Sequence, residues 1–178
     1  MVKFARGLVA VAAAAATALG ATAVAVADDP LPEGALEGIY TFHQNGASAT
    51  WKIYPLCVPT VGPGRVPLQL AVGCKLQVES DGAIGQSGAY RLAGGRWTYS
   101  IPLLAGKKCA NGHTVATEET YQFDTALNGT YSQAHNAVCG GQPGIDKTPF
   151  TLTYVGPLPV PVNRYPLTCQ DNPVHLCS

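Results

Sequence analysis

Charge is what this sequence has least of. Only 11 Lys+Arg and 11 Asp+Glu occur among 178 residues, and no basic run is present. A chain without a basic stripe has no electrostatic footprint for phosphate backbones or anionic lipid, which excludes nucleic acid and charged membrane surfaces as partners. Catalytic signatures are missing as well. There is no Gly-x-Ser-x-Gly elbow and no Ser-x-x-Lys, the local arrangements that aim a serine nucleophile. No Cys-x-x-Cys or Cys-x-Cys spacing and no clustered histidine occurs, so neither a metal site nor any other cofactor is expected. Beyond residue 27 there is no helical period and no apolar run long enough to span a bilayer.

What is present begins at the N-terminus. Lys3 and Arg6 precede an Ala/Val/Leu run from Gly7 that ends in Ala25-Val26-Ala27, the small residues a signal peptidase needs. Residues 1–27 therefore read as a signal peptide, with Asp28 as the mature N-terminus. No basic stop-transfer cluster follows the run, no twin arginine precedes it, and no cysteine marks the cleavage point for lipid attachment. The expected product is secreted, extracellular or in the cell envelope, without a membrane span. Lys3 and Arg6 leave with the leader, so nine basic residues face eleven acidic ones in the mature chain, a formal charge of −2.

Periodicity of two dominates the mature chain. Trp51 and Ile53 alternate with Lys52 and Tyr54. Leu68, Leu70, Val72, Cys74, Leu76 and Val78 share one face, as do Val115, Thr117, Glu119, Tyr121 and Phe123. Asn45-Gly46, Asp81-Gly82, Gly94-Gly95 and Asn111-Gly112 fall between the runs, and such pairs accept the positive φ of tight hairpins. The pattern predicts an all-β chain of about eight antiparallel strands, over 36–43, 47–55, 68–79, 83–92, 95–102, 115–124, 127–134 and 148–154. Strands in a meander must close or fold into two layers to hide their edges. A small up-and-down barrel is the expected fold and a β-sandwich the alternative. The domain plan is a linker over 28–35, a β domain over 36–155 and a Pro-rich tail over 156–178. Gly-x-Tyr recurs at Gly38, Gly88 and Gly129, where the missing side chain lets a ring or strand approach closely.

In an oxidising compartment an even set of cysteines forms disulfides. Cys57, Cys74, Cys109, Cys139, Cys169 and Cys177 permit 15 connectivities. The strand reading pairs them in order: Cys57 with Cys74 across a loop, Cys109 with Cys139 at one end of the meander, and Cys169 with Cys177 as a clip in the tail.

Candidate site residues are those expected to face inward. Trp51, Tyr90, Trp97 and Tyr121 are core rings in the ordinary case, and in an eight-stranded barrel the same positions line a cavity for one small ligand. Glu119 shares their face, and a buried carboxylate needs a ligand, an inward basic group or a bulge that re-aims it. His43, His113, His135 and His175 are scattered, and a second carboxylate for acid–base work (Asp124, Glu79 or Glu37) is not positioned by the sequence. No residue is therefore assigned a catalytic role.

Several blocks carry a resemblance: Gly38-Ile39-Tyr40, Trp51-Lys52-Ile53 leading to Pro55-Leu56-Cys57, Gly94-Gly95-Arg96-Trp97-Thr98, Cys139-Gly140-Gly141 and Pro149-Phe150-Thr151-Leu152. Together with the Ala-rich leader, the chain resembles small secreted or envelope proteins of mycobacteria and related actinobacteria, over most of 36–154. The resemblance implies no catalytic residue. The expectation is a monomeric, disulfide-stabilised binding module for a small apolar or glycan ligand or an envelope partner. A hydrolase of envelope material built around Glu119 or His135, and a structural or host-interaction protein, are the alternatives.

Overall fold

Eight strands follow one another around a ring, each hydrogen-bonded antiparallel to the next, and the last returns to the first. The computed structural model describes residues 31–58, 70–82 and 84–165. The leader and the Cys169/Cys177 pair lie outside these. The strands are β1 (Gly38–Gln44), β2 (Ala47–Cys57), β3 (Cys74–Ser80), β4 (Gly88–Ala93), β5 (Arg96–Lys108), β6 (Thr114–Phe123), β7 (Asn128–His135) and β8 (Gly144–Gly156). Closure comes from β1 against β8, with Thr41 opposite Thr153 and Phe42 opposite Leu152. This makes the chain an up-and-down barrel rather than two packed layers, and closure removes most of the edge a meander would expose.

Local chemistry accounts for the tight corners. Asn45 and Gly46 adopt φ of 51° and 78°, and Gly94 and Gly95 adopt 57° and 77°. Positive φ at both central residues gives the twist that joins adjacent antiparallel strands. Asp81-Gly82 behaves differently from the expected hairpin. Asp81 accepts the Thr50 amide through its carboxylate at 2.7 Å, and Ser87 Oγ accepts the Ser80 amide at 2.8 Å. Side chains thus terminate the ladder, and β4 starts only at Gly88 instead of at 83.

β3 also starts later than the alternation implies. Leu70–Gly73 forms a single helical turn, α1, and the Val58 amide donates to the Gly73 carbonyl at 2.7 Å. Cys57 and Cys74 are direct cross-strand partners joined by a disulfide, so the first rung of the β2–β3 ladder is covalently set at Cys74. Upstream of Cys74, no strand among the described residues pairs with 70–73, and Val72 is 73% exposed.

β5 and β8 run further than expected. β4 pairs with β5 only as far as Thr98, and β1 pairs with β8 only from Thr151 onward. At one end, called upper here, β5–β8 therefore continue past β1–β4 as a four-stranded extension. The upper end carries the β1–β2, β3–β4, β5–β6 and β7–β8 connections. A disulfide between Cys109 and Cys139 ties two of these together. Among the described residues no cysteine is free. Pro102 and Pro149, which cannot donate to a ladder, lie in the stretches of β5 and β8 that run past their second neighbours.

The core sits inside the ring. Phe42, Trp51, Ile53, Leu76, Val78, Tyr90, Trp97 and Phe123 are fully buried. The three Gly-x-Tyr glycines show why they carry no side chain. A Cβ on Gly38 would strike the Tyr154 ring, on Gly88 the Tyr99 ring, and on Gly129 the Phe150 ring. At the lower end, Trp97 donates its indole N–H to the Gly34 carbonyl at 3.3 Å. There too Arg164 clasps Glu37 through two hydrogen bonds of 2.6 and 2.9 Å, while its carbonyl accepts the Cys57 amide. The segment after β8 is thereby held back against the start of the domain. Among the described residues no helix is long and apolar enough to cross a membrane.

Candidate functional site

Alternation along β2, β4, β5 and β6 sends Trp51, Tyr90, Trp97, Glu119 and Tyr121 inward, and all five are buried. Trp51, Tyr90 and Tyr121 belong to one aromatic cluster. Trp51 stacks on Phe42 at 4.6 Å between ring centres and meets Tyr90, Phe150 and Tyr121 at 5.9, 6.0 and 6.4 Å. At such separations the rings fill the space between them with tilted and edge contacts. Trp97 lies apart, at the lower end. Burial pushes the Tyr90 and Tyr121 phenols above their ordinary range, and the Glu119 charge adds to the effect at Tyr121.

Glu119 marks the boundary between this apolar interior and a polar upper end. Its carboxylate is met by neutral donors, not by a basic side chain or a re-aiming bulge. Gln133 Nε2 donates to Glu119 Oε1 at 3.3 Å and to the Gly106 carbonyl at 3.0 Å, and lies 3.2 Å from the Tyr131 hydroxyl. The Tyr131 phenol also hydrogen-bonds the carboxylate and is raised by burial first and by Glu119 second. A bulge does occur, but on β5, where the register shifts between Leu103 and Lys107. It lays Gly106 over Thr117, where a Cβ would collide with the Thr117 hydroxyl. Thr117 is 6% exposed, and among the described residues its Oγ1 has no hydrogen-bond partner.

A charged group caps the same end. Lys107 Nζ donates to Asp146 Oδ2 at 2.8 Å and lies 3.0 Å from His135 Nε2. His135 Nδ1 lies 2.9 Å from the Asn136 carbonyl. A carbonyl only accepts, so Nδ1 carries the proton and Nε2 is left to accept from the ammonium. The Lys107 hydrogen bond and charge hold the Asp146 carboxyl below its usual range, with His135 a lesser cause. β5, β7 and β8 are thus linked by a network whose members satisfy one another.

Among the described residues, two depressions of the surface stand out. One, of about 120 Å³, lies along Thr50, Lys52, Glu79, Ser80 and Asp81, whose polar groups are largely engaged across β2 and β3. The other, about 210 Å³, opens at the upper end where the β1–β2 turn meets β8 and includes Gln44, Pro149 and Phe150. Gln44 Nε2 itself is buried out of reach of solvent, and among the described residues it has no hydrogen-bond partner. Among the described residues no group of three or more His, Cys, Asp or Glu is placed to hold a metal ion.

Alternation alone was enough to aim Glu119 inward. It also aims Tyr131, Gln133 and His135 along β7, so the Glu119 partners carried a readable signal in their shared parity. Lys107 and Asp146 carried none, because they lie beyond the strand ends that the sequence pattern marks. His43 is exposed beside the larger depression, His113 is exposed in the β5–β6 connection, and His175 lies outside the described residues. Comparison with family models, with curated proteins and with solved structures finds no match to this chain.

Proposed function

We propose that this protein is a secreted, disulfide-stapled barrel that acts by binding, with its upper end as the recognition surface and cell-envelope material as its partner. One observation carries the reading. The interior is occupied by rings, whereas the inward-facing polar side chains of β6–β8, Thr117, Glu119, Gln133, His135 and Asp146, collect at a single end. The leader and the two disulfides are compatible with an extracellular address.

The test is co-sedimentation of the oxidised mature protein with an isolated envelope fraction. Lys107→Ala and Asp146→Ala at the upper end should weaken retention several-fold, while Glu33→Ala at the lower end should leave it unchanged. Equal retention of all variants, or none by the parent protein, would sink the proposal. A second reading has one observation in its favour: Glu119 and His135 face inward at the same end, with Gln133 between them along β7. It makes the protein a hydrolase of envelope material, and unchanged turnover in Glu119→Ala and His135→Ala would count against it.

A further inference from the structure

Strand pairing builds on the outer wall what the linear sequence lacks, a patch of basic side chains. Leu76, Tyr90 and Trp97 are fully buried, so alternation turns Lys75, Arg91 and Arg96 outward on β3, β4 and β5. Lys75 stands directly opposite Arg91, and Arg91 opposite Thr98, which lies two residues along β5 from Arg96. Three successive strands thus carry one cation each. Arg91 is exposed, and among the described residues neither guanidinium makes a hydrogen bond or an ion pair. The other outward positions of this stretch, Gln77, Ala89, Ala93 and Thr98, hold no carboxylate. The acids that flank it are engaged: Glu79 accepts the Tyr54 hydroxyl at 2.7 Å, and Asp124 accepts the Asn128 amide at 3.1 Å.

Like charges directly opposite each other on neighbouring strands work against the fold. Lys75 facing Arg91 therefore brings the barrel no stability, and a ligand of negative charge turns the same pair into an attraction. Spacing narrows the ligand. From Lys75 to Arg96 the patch crosses two strand spacings, roughly 10 Å, too far for one small anion to bridge but suited to a polymer that repeats its charge. Guanidinium forks pair with carboxylate and phosphate alike. Single-stranded nucleic acid fits poorly, because it needs rings to stack on and the outward positions of β3, β4 and β5 carry none. An acidic peptide cannot add itself as a strand, because β3 and β4 are paired on both sides in the closed ring. We propose that the β3–β5 wall binds an anionic glycan, a chain of sugars bearing repeated carboxylate or phosphate groups. The patch lies towards the lower end, next to Cys74 and the β4–β5 turn, and is a second contact besides the upper end.

The test measures binding of the oxidised protein to immobilised polygalacturonate and phosphorylated dextran at low salt, with neutral dextran, single-stranded DNA and polyglutamate in parallel. At least one of the two acidic glycans should bind, neutral dextran should not, and the stronger of the two identifies the acid group. Binding should weaken steeply as salt rises to about 0.2 M, where exposed charges are screened. Arg91→Gln and Arg96→Gln should each weaken it about two- to fivefold, the worth of one exposed ion pair. Lys147→Gln removes the same charge from β8, on another part of the ring, and should bind like the parent. Arg91→Gln should unfold at or above the parent's urea midpoint, because it relieves the repulsion with Lys75, and this separates lost binding from lost fold. The assignment is overturned if neither acidic glycan binds at low salt, or if neutral dextran binds equally. It is overturned as well if DNA or polyglutamate binds more tightly than both, or if Lys147→Gln loses as much as Arg91→Gln.

Discussion

Gly129→Ala tests how the barrel interior is held together. Gly129 is buried on β7 directly opposite Phe150 on β8, and the Phe150 ring lies across the space a methyl group would need. The ring has little room to retreat. Phe42 stands 4.8 Å from it, Trp51 6.0 Å, Tyr121 6.3 Å and Phe123 6.5 Å, centre to centre. Overpacking a dense core costs about 1–3 kcal/mol, and a boxed-in aromatic belongs at the upper end of that range. Gly129 is absent from the positive-φ positions, so alanine is tolerated by the backbone and gains roughly 0.4–1 kcal/mol from a less free unfolded chain. The net expectation is a destabilisation of about 2 kcal/mol, read as a shift of the urea midpoint at constant slope. Gly94→Ala is the control. Its φ is +57° and a Cβ there meets nothing within 4 Å, so only a conformational cost of roughly 1 kcal/mol applies. In a Phe150→Leu background the added methyl has less to displace, and Gly129→Ala should cost at least about 1 kcal/mol less than in the parent. If Gly129→Ala lies within about 0.5 kcal/mol of the parent, or costs the same in both backgrounds, the close-packing argument is refuted.

Two further outcomes follow from the titratable groups. Burial raises the phenols of Tyr40, to about 12, and of Tyr90 and Tyr121 further, so the native state holds these protons where the unfolded state has released them. That stability is fully present below pH 10 and is lost as pH climbs from 10 through the folded values, at up to about 1.4 kcal/mol per pH unit for each ring. Urea midpoints should therefore fall steeply above pH 10 together with the appearance of phenolate absorbance, and a midpoint flat to pH 11 would contradict the buried phenols. Glu119→Ala takes away the carboxylate that the Tyr131 phenol bonds and one of the acceptors of Gln133, and should cost about 1–3 kcal/mol, whereas Glu119→Leu, which removes the same acceptor but fills the space, should cost less. Equal urea midpoints for the parent and Glu119→Ala would show that the carboxylate is not held as described.

The period of two was enough to predict an all-β chain and, within the strands that form, which side chains face inward; it failed at Val72, which lies in a helical turn and is exposed. It aimed Glu119 correctly because side-chain direction alternates strictly along a strand, whatever the strand packs against. Cys57 with Cys74, and Cys109 with Cys139, followed from the same strand order. The strand limits did not, because an end is set by its neighbour. β3 begins where Cys74 finds Cys57, and β5 and β8 run on because their partners on the other side do.

The candidate site divides in the same way. Composition and periodicity by themselves determined a nearly neutral, sparsely charged, cysteine-paired, alternating chain whose inward face carries tryptophan, tyrosine and one glutamate, since these properties belong to residues and their spacing. Only the tertiary structure decided that the ring closes, that the tryptophans and tyrosines pack on each other and on phenylalanine, and that Lys107, His135 and Asp146 meet from three strands. The depression beside Gln44 is of the second kind too, because it exists where one strand stops and its neighbour does not. Such features depend on contacts between residues far apart in the chain, and no local pattern encodes where two distant strand ends fall relative to each other.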